Sequence, residues 1–249
     1  MTERRSGGRA AGAASPILLH PVALDAHCID WLDVPGLSAP TLPGHGDRVR
    51  ARPGLTLDDM ADEVVGWTSG PLDVVGASLG GMVALHLALN HPDRVRSLVL
   101  ACTTARTDTD TMEARAAATE ERGAPRMVDD AMARWFTEEA LQRTPAPAPL
   151  EYARRCLGRM DTGALADTWR AVARHDVSAR LGEIPVPTTC IAGPRDVSTP
   201  SAVMAEVAAG LPQARLVELD APHMAHLERP AEFSEAVRSH LQWVEEVLG

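Results

Sequence analysis

The residue most suited to chemistry in this sequence is a serine held in a short run of glycines. Ser78 is the central residue of Gly76-Ala77-Ser78-Leu79-Gly80, which follows the apolar run Leu72–Val75 and opens an apolar helical pattern. A serine on a sharp strand-to-helix turn needs small residues two before and two after it, because strand and helix pack closely there. Such a turn lifts the hydroxyl clear of the sheet and places helix N–H groups beside it. The pattern predicts a nucleophilic serine.

Two strand ends later in the chain offer the partners that such a serine needs. A serine hydroxyl is a weak nucleophile until a base takes its proton, and that base needs an acid to orient it. Asp196 follows the predicted strand Thr188–Ala192, and His223 follows the predicted strand Arg215–Leu219. The order Ser…Asp…His, with spacings of 118 and 27 residues, is the one expected for a serine on this kind of turn. We therefore predict a catalytic triad of Ser78, Asp196 and His223.

The elements that position these residues alternate along the chain. Short apolar runs, typical of buried strands, are separated by longer amphipathic stretches, which predicts a mainly parallel sheet. The predicted strands are Ile17–Leu19, Leu72–Val75, Ser97–Ala101, Thr188–Ala192 and Arg215–Leu219, and the predicted helices are Leu57–Trp67, Gly81–Asn90, Ser201–Gly210 and Pro230–Leu248. A weaker strand is expected at Leu37–Leu42, and it should lie at a sheet edge because Pro40 has no N–H to donate.

The alternation stops between Arg106 and Ala179. These 74 residues contain no convincing strand and are typical of about four helices. A helical block between two strands of a parallel sheet is expected to lie over the carboxyl edge of the sheet, where such folds bind ligands. The predicted organisation is a flexible segment over 1–15, an α/β core over 16–105 and 180–249, and a helical cap over 106–179.

Composition excludes several classes of protein. The chain has 249 residues, of which 45% are apolar, enough for one domain with a large core. Its net charge of −10 argues against a nucleic acid or an anionic membrane as partner. All basic residues are Arg, so a lysine Schiff base and a phosphate-loop lysine are excluded. The four cysteines form no C-x-x-C pair, which argues against a metal site. We therefore expect no metal and no cofactor.

Targeting signals are also missing from the sequence pattern. The first 15 residues contain no apolar stretch of the kind found in signal peptides, and no later run approaches the roughly 18 apolar residues of a membrane span. The expectation is a soluble cytoplasmic protein whose partner is a small-molecule substrate, with a homo-oligomer as an open possibility.

Further segments between about Ile17 and Leu248 carry a resemblance to a known family. They are Leu42-Pro-Gly-His-Gly46, Val75-Gly-Ala-Ser-Leu-Gly-Gly81, Asn90–Leu100, Arg134-Trp-Phe-Thr137, His175-Asp176 and His223…Glu228-Arg-Pro230…Phe233. On these residues the chain resembles an α/β-hydrolase, and within that fold it is similar to the 3-oxoadipate enol-lactonase family. The serine and histidine motifs belong to the whole superfamily. The segments in the predicted cap are the ones that point to enol-lactonases.

The resemblance implies a three-layer α/β-hydrolase fold with a helical cap and a sheet of about six strands, since the two leading strands of the family have no counterpart before Ile17. It implies that the oxyanion hole uses the N–H groups of Val22 and Leu79, because Pro21 has none. It also selects the base, because the family places that histidine five residues before the Glu of Glu-Arg-Pro, which is His223 and not His226. Asp220 could replace Asp196 as the acid, but it would crowd His223.

The resemblance implies hydrolysis of a carboxylic ester through an acyl-enzyme, with a small lactone similar to 3-oxoadipate enol-lactone as the substrate. A lactone of this type carries a carboxylate, so Arg134 is the candidate counter-charge, with Trp135 and His20 as further candidate substrate-binding residues. Alternatives that share the same triad are a secondary-metabolite esterase, a cyclase-like hydrolase and a C–C bond hydrolase. A non-catalytic hydrolase-fold receptor for a small ligand is an alternative from a different class.

Overall fold

The computed structural model describes residues 14–48 and 53–249. Most of the predicted segment 1–15 lies outside the described residues, and Ser15 already belongs to the first strand. No helix among the described residues has the length and apolar character needed to cross a lipid bilayer.

A parallel sheet forms the centre of the described chain. Its five strands are β1 Ser15–Leu19, β2 Leu72–Ala77, β3 Val95–Ala101, β4 Thr188–Ala192 and β5 Ala214–Glu218. They follow one another across the sheet in chain order, and each pairs in parallel with the next. Every residue of β2 is buried, because helices cover both faces of a parallel sheet. The predicted parallel α/β sheet is confirmed.

The α-helices are α1 Leu57–Val65, α2 Leu79–Asn90, α3 Thr109–Arg122, α4 Val128–Trp135, α5 Glu138–Leu141, α6 Ala148–Arg159, α7 Thr162–Ala173, α8 Ser201–Gly210, α9 Ala225–Glu228 and α10 Pro230–Leu248. Helices α1 to α8 lie between strands in the chain, and α9 and α10 follow β5. Short 3-10 helices span Ala26–Ile29, Pro92–Arg94, Ala124–Met127 and Ser178–Glu183. Helix α1 begins at a capping box, in which Thr56 and Asp59 exchange side-chain and backbone hydrogen bonds.

The strand predicted at Leu37–Leu42 is reduced to a single bridge. Ser38 alone pairs with Ile17 on the outer edge of β1, donating its N–H to Pro16 and accepting a hydrogen bond from Leu18 N–H. Pro40 lies two residues further on and has no N–H, so the ladder cannot continue. The sheet of the described residues therefore has five strands, one fewer than expected.

The fully described stretch between β3 and β4 is helical, as the sequence predicts. It contains α3 to α7, of which four helices have eight residues or more. We call residues 106–179 the helical insertion. The two ends of the insertion are joined to each other, since Arg106 and Asp176 form an isolated antiparallel β-bridge and Thr107 N–H donates to the carbonyl of His175.

Candidate active site

Ser78 lies on a strained turn between β2 and α2. Its φ of 51° and ψ of −116° lie in the left-handed half of backbone space, which a serine adopts only when its surroundings impose it. Two hydrogen bonds impose it here, because Ser78 N–H donates to the Ala101 carbonyl (2.9 Å) and Thr103 Oγ1 donates to the Ser78 carbonyl (2.8 Å). The turn is therefore fixed from the neighbouring strand β3.

The glycines that flank the serine are needed for close packing, as the sequence predicts. A Cβ on Gly76 would lie 2.5 Å from the Gly80 carbonyl oxygen, and a Cβ on Gly80 would overlap the Leu19 carbonyl group at the end of β1. Neither position has room for a side chain. The turn can form only because strand and helix meet through bare backbone.

The structure brings the three predicted triad residues together at the carboxyl edge of the sheet. Ser78, Asp196 and His223 follow β2, β4 and β5, whose ends are level in the parallel register. His223 Nε2 lies 2.9 Å from Ser78 Oγ, and His223 Nδ1 lies 2.8 Å from Asp196 Oδ2. All three are buried, at 8%, 4% and 7% exposure. The arrangement can pass a proton from the serine to the imidazole.

The Asp196 carboxylate is oriented by its own loop. Its Oδ1 accepts hydrogen bonds from Ser198 N–H (2.7 Å) and Thr199 N–H (2.9 Å), which leaves Oδ2 for His223. These backbone donors stabilise the ionised carboxylate in a buried position. The Cys102 thiol lies nearby, and burial together with the charge of Asp196 raises its pKa.

The two competing residues lie away from this arrangement. His226 is buried against Phe233, with ring centroids 5.9 Å apart, and its Nε2 has no hydrogen-bond partner in the described part of the chain. Burial lowers its pKa to about 3, so His226 is a neutral packing residue. Asp220 is exposed at the end of β5, and its backbone carbonyl accepts a hydrogen bond from Arg229.

A cavity of about 100 Å³ opens above Ser78. Val22 and Leu79, the predicted oxyanion-hole residues, line it together with His223. The opposite side comes from the helical insertion, which contributes the predicted residues Arg134 and Trp135 as well as Arg115 and Trp169. The small volume suits a short acyl group.

His20 does not line this cavity, so its position does not support the predicted contact with substrate. The ring is fully buried, its Nδ1 lies 2.8 Å from the Pro21 carbonyl, and its Nε2 accepts a hydrogen bond from Leu42 N–H (2.9 Å). A carbonyl only accepts, so the proton is on Nδ1. Burial holds the pKa of His20 well below its usual value, in keeping with this neutral form.

The Pro21 carbonyl and the Val22 N–H share one planar peptide group, so His20 orients the predicted oxyanion donor.

This role of His20 can be tested with two substitutions that each keep one half of the imidazole. His20→Asn keeps a donor near the place of Nδ1, whereas His20→Gln keeps only an acceptor near the place of Nε2. We expect His20→Gln to lower kcat by about 10- to 100-fold with little change in KM, because the oxyanion contact forms only in the transition state. His20→Asn should lower kcat by about threefold or less. Equal losses in steady-state kinetics would show that His20 only fills space.

The helical insertion is attached to the loop that carries His223. Met224 N–H donates to the Trp135 carbonyl (3.0 Å), and the Glu228 carboxylate accepts hydrogen bonds from Thr137 N–H (2.9 Å) and Thr137 Oγ1 (2.6 Å). These bonds fix Trp135 relative to the base. In the sequence, Glu228 serves only to locate His223, and its contact with Thr137 is not predictable from the motif.

The place of Arg115 in the cavity wall is not predicted from the sequence, and for Trp169 the sequence leaves open whether it lines a pocket or packs in the core. The charged stretch around Arg115 is typical of a solvated helix face, yet Arg115 is half-buried and faces the cavity. The signal was present in the spacing, because Met112, Arg115 and Thr119 recur every three or four residues and share one side of α3.

No set of three or more His, Cys, Asp or Glu side chains within residues 14–48 and 53–249 is placed to hold a metal ion.

Known proteins are similar to this chain in sequence and in fold. A family profile described as alpha/beta hydrolase fold matches residues 68–230, a span that contains Ser78, Asp196 and His223. The chain is 35% identical over 227 residues to a pimeloyl-(acyl-carrier protein) methyl ester esterase of Neisseria meningitidis serogroup A, a match that covers 85% of this chain and 72% of that protein.

Enol-lactonases are among the relatives as well. The chain is 28% identical over 165 residues to 3-oxoadipate enol-lactonase 2 of Acinetobacter baylyi, which covers 66% of this chain and 61% of that protein. The crystal structure of the enol-lactonase from Burkholderia xenovorans LB400 superposes with a TM-score of 0.86 at 25% identity, over 94% of both chains. The resemblance stated from the sequence motifs is confirmed.

Proposed function

The chain belongs to the alpha/beta hydrolase fold family and is an ester hydrolase of that family, and from this premise we propose that it cleaves small carboxylic esters, small lactones among them, through an acyl-enzyme on Ser78. One observation carries the proposal. A continuous hydrogen-bonded chain runs from Asp196 through His223 to Ser78 Oγ, at the floor of a cavity of about 100 Å³.

The proposed reaction has two halves. His223 Nε2 takes the proton of Ser78 as Oγ attacks the carbonyl carbon, and the N–H groups of Val22 and Leu79 stabilise the tetrahedral oxyanion. The C–O bond of the ester then breaks, and the imidazolium returns its proton to the leaving oxygen. A water molecule attacks the acyl-enzyme by the same route in reverse, and Asp196 stabilises the imidazolium in both halves.

A lactone is the finer part of the proposal. In a lactone the leaving oxygen stays attached to the acyl group, so one compact molecule fills both the acyl and the leaving-group positions. This suits the small cavity. The similarity to enol-lactonases supports the same choice.

A second candidate is a methyl ester at the end of a longer acyl chain. It is favoured by the 35% identity to an esterase named for a pimeloyl-(acyl-carrier protein) methyl ester. The two candidates differ in how activity depends on acyl length, because a short cavity penalises each added methylene and an extended channel rewards it.

The distinguishing experiment compares a five-membered enol-lactone with methyl esters from butanoate to octanoate, with acid release followed by a pH indicator. We expect kcat/KM to be at least about tenfold higher for the lactone than for any methyl ester, a difference of about 1.4 kcal/mol. The enolate is a better leaving group than methoxide, and the cavity is small. A steady rise from butanoate to octanoate would favour the second candidate. Labelling of Ser78 by a fluorophosphonate without turnover of any ester would indicate a ligand receptor.

A further inference from the structure

Two histidines outside the triad form a row of hydrogen bonds between the core and the end of the helical insertion. His86 Nδ1 lies 2.7 Å from Asp58 Oδ1, His86 Nε2 lies 3.1 Å from His175 Nδ1, and His175 Nε2 lies 2.9 Å from the Thr104 carbonyl oxygen. Asp58 lies on α1, His86 lies on α2, and His175 follows α7. We call these four residues the histidine row. It runs from an exposed carboxylate to a buried imidazole.

The buried end of the histidine row determines where the protons of His175 lie. A carbonyl oxygen only accepts, so His175 Nε2 carries a proton and donates it to Thr104. Burial lowers the pKa of His175 to about 4, and the neighbouring His86 acts in the same direction. Near neutral pH the ring is therefore uncharged and its Nδ1 is an acceptor. It follows that His86 Nε2 must donate to His175 Nδ1.

The exposed end of the row requires a second proton on His86. Although burial opposes ionisation of Asp58, hydrogen bonds from His86 and Asn90 lower the pKa of its carboxyl. The resulting carboxylate only accepts, so His86 Nδ1 must also carry a proton. All three bonds of the row therefore form together only when His86 is an imidazolium and His175 is neutral. The two rings together hold one positive charge.

Other charged groups influence the members of the row. They are Asp59 on α1, Arg106 and Asp176 at the ends of the insertion, and Arg180 and Glu183 in the 3-10 helix that follows it. Hydrogen bonds from Ser178 and Arg180 lower the pKa of Asp176 and of Glu183, respectively. All five are carboxylates or guanidinium groups, which ordinarily titrate outside the range from pH 5 to pH 9. Within the row and these neighbours, the two histidines are the groups that titrate in that range.

His175 is attached to the wall of the cavity above Ser78. Its ring contacts the Thr104 carbonyl, and its own carbonyl accepts a hydrogen bond from Thr107 N–H (3.0 Å). Thr107 Oγ1 also donates to the Val172 carbonyl. Thr104, Thr107 and Val172 all line the cavity. A change in the position of His175 would therefore change the shape of the site.

We propose that the histidine row is a pH-dependent tie between the core and the helical insertion, which is tightest near neutral pH and controls the cavity wall at Thr104 and Thr107. When His86 loses a proton at higher pH, one of its ring nitrogens faces an acceptor without a hydrogen, so the bond to Asp58 or the bond to His175 is lost. When His175 gains a proton at lower pH, two N–H groups and two cations face each other.

The direction of both effects follows from the number of protons bound. The tied pair holds one proton beyond those of two neutral rings. A pair exposed to water by opening of the insertion would hold none of these extra protons at high pH and two at low pH. Closing is therefore most favourable between these limits, and the closed insertion loses stability both as the pH rises and as it falls.

Hydrogen–deuterium exchange of the full chain between pH 5 and pH 9 tests the tie. The N–H groups of Thr107 and Val177 report on it, because they donate to the carbonyls of His175 (3.0 Å) and Ala105 (2.8 Å) across the two ends of the insertion. Each exchange rate is divided by the intrinsic rate at the same pH. We expect protection to be highest near neutral pH and to be lower by about tenfold or more at pH 9 and by about threefold or more at pH 5.

Two glutamine variants separate the tie from other pH effects. His86→Gln keeps an N–H donor near the place of His86 Nε2 but does not titrate, so the loss of protection above neutral pH should disappear while the loss at pH 5 remains. His91→Gln is the matched control, because His91 follows α2 and its Nε2 lies 2.6 Å from Asp62 on α1. This variant should keep the wild-type profile.

Three results would overturn the proposal. They are constant protection of the wild type from pH 5 to pH 9, a loss of protection at pH 9 that persists in His86→Gln, and a loss that disappears in His91→Gln.

Steady-state kinetics tests the control of the cavity wall. Because Thr104 and Thr107 line the cavity, KM for a phenyl ester should rise by about threefold or more from pH 7 to pH 9 in the wild type and stay nearly constant in His86→Gln. A constant wild-type KM despite a loss of protection would overturn the link between the tie and the cavity. Exchange needs no turnover, so a failure of the proposed esterase function would leave the exchange result valid.

Discussion

Replacing Ser78 or His223 by alanine should lower kcat for ester hydrolysis by about a thousandfold or more, because each change removes the nucleophilic route. The hydrogen bonds that connect the two side chains with Asp196, at 2.9 and 2.8 Å, make the three residues act as one unit. The double variant Ser78→Ala with His223→Ala should therefore have a kcat only slightly lower than that of either single variant. Steady-state kinetics with a phenyl ester measures the effect. The melting temperature should stay within a few degrees, since the Ser78 backbone bonds to Ala101 and Thr103 remain.

Asp196→Asn belongs to the same prediction. The amide can still meet the N–H groups of Ser198 or Thr199 through its oxygen, but it no longer stabilises the imidazolium. We expect kcat of the Asp196→Asn protein to show most of the thousandfold decrease.

His226 provides the internal control for the base. It lies three residues from His223, is also buried, and has no hydrogen bond to Ser78 or Asp196. His226→Ala should cost less than about tenfold in kcat. If His226→Ala proves more damaging than His223→Ala, the base has been assigned to the wrong histidine.

The second large effect concerns the fold. Gly80→Ala should destabilise the protein by at least about 3 kcal/mol or prevent its folding, because the added Cβ would overlap the Leu19 carbonyl group. Alanine favours the helix by about 1 kcal/mol over glycine, but that gain is smaller than the cost of moving β1 away from α2. Urea denaturation followed by circular dichroism gives the free energy of unfolding.

Gly70→Ala is the control for this change. A Cβ on Gly70 would meet no atom within 4 Å, and Gly70 precedes β2 by two residues. The free energy of unfolding of the Gly70→Ala protein should stay within about 1 kcal/mol of the wild-type value. If Gly80→Ala unfolds at the same urea concentration as Gly70→Ala, the contact between α2 and β1 is looser than the structure describes.

Local patterns in the sequence predicted the fold and the three residues that meet at the candidate site. The strands β1 to β5 and the helix α10 lie within two residues of their predicted bounds, because each depends on a run of apolar side chains at a fixed period. The turn at Ser78 was predictable because its glycines are two residues away on either side. Asp196 and His223 were predictable because they directly follow strands, and the carboxyl ends of parallel strands share one edge.

Contacts between distant segments were decided by the tertiary structure alone. The strand predicted at Leu37–Leu42 is a single bridge at Ser38 in the structure. Pairing beyond that bridge would need a backbone N–H donor, which Pro40 lacks. His20 was predicted to contact the substrate, but in the structure its ring hydrogen-bonds to the Pro21 carbonyl and so supports Val22. The sequence could not show this, because the other ring nitrogen contacts Leu42, which lies in a different loop.

Two arginines of the cavity wall show the same limit most clearly. Arg115 and Arg134 are 19 residues apart on two helices, and the sequence around Arg115 is as charged as any exposed helix face. Whether such a side chain meets water or a cavity depends on how α3 packs against α7, which brings Trp169 beneath the guanidinium. Spacing along one helix gives the direction of a side chain relative to its neighbours, and only the packing of helices against each other decides what that side chain faces.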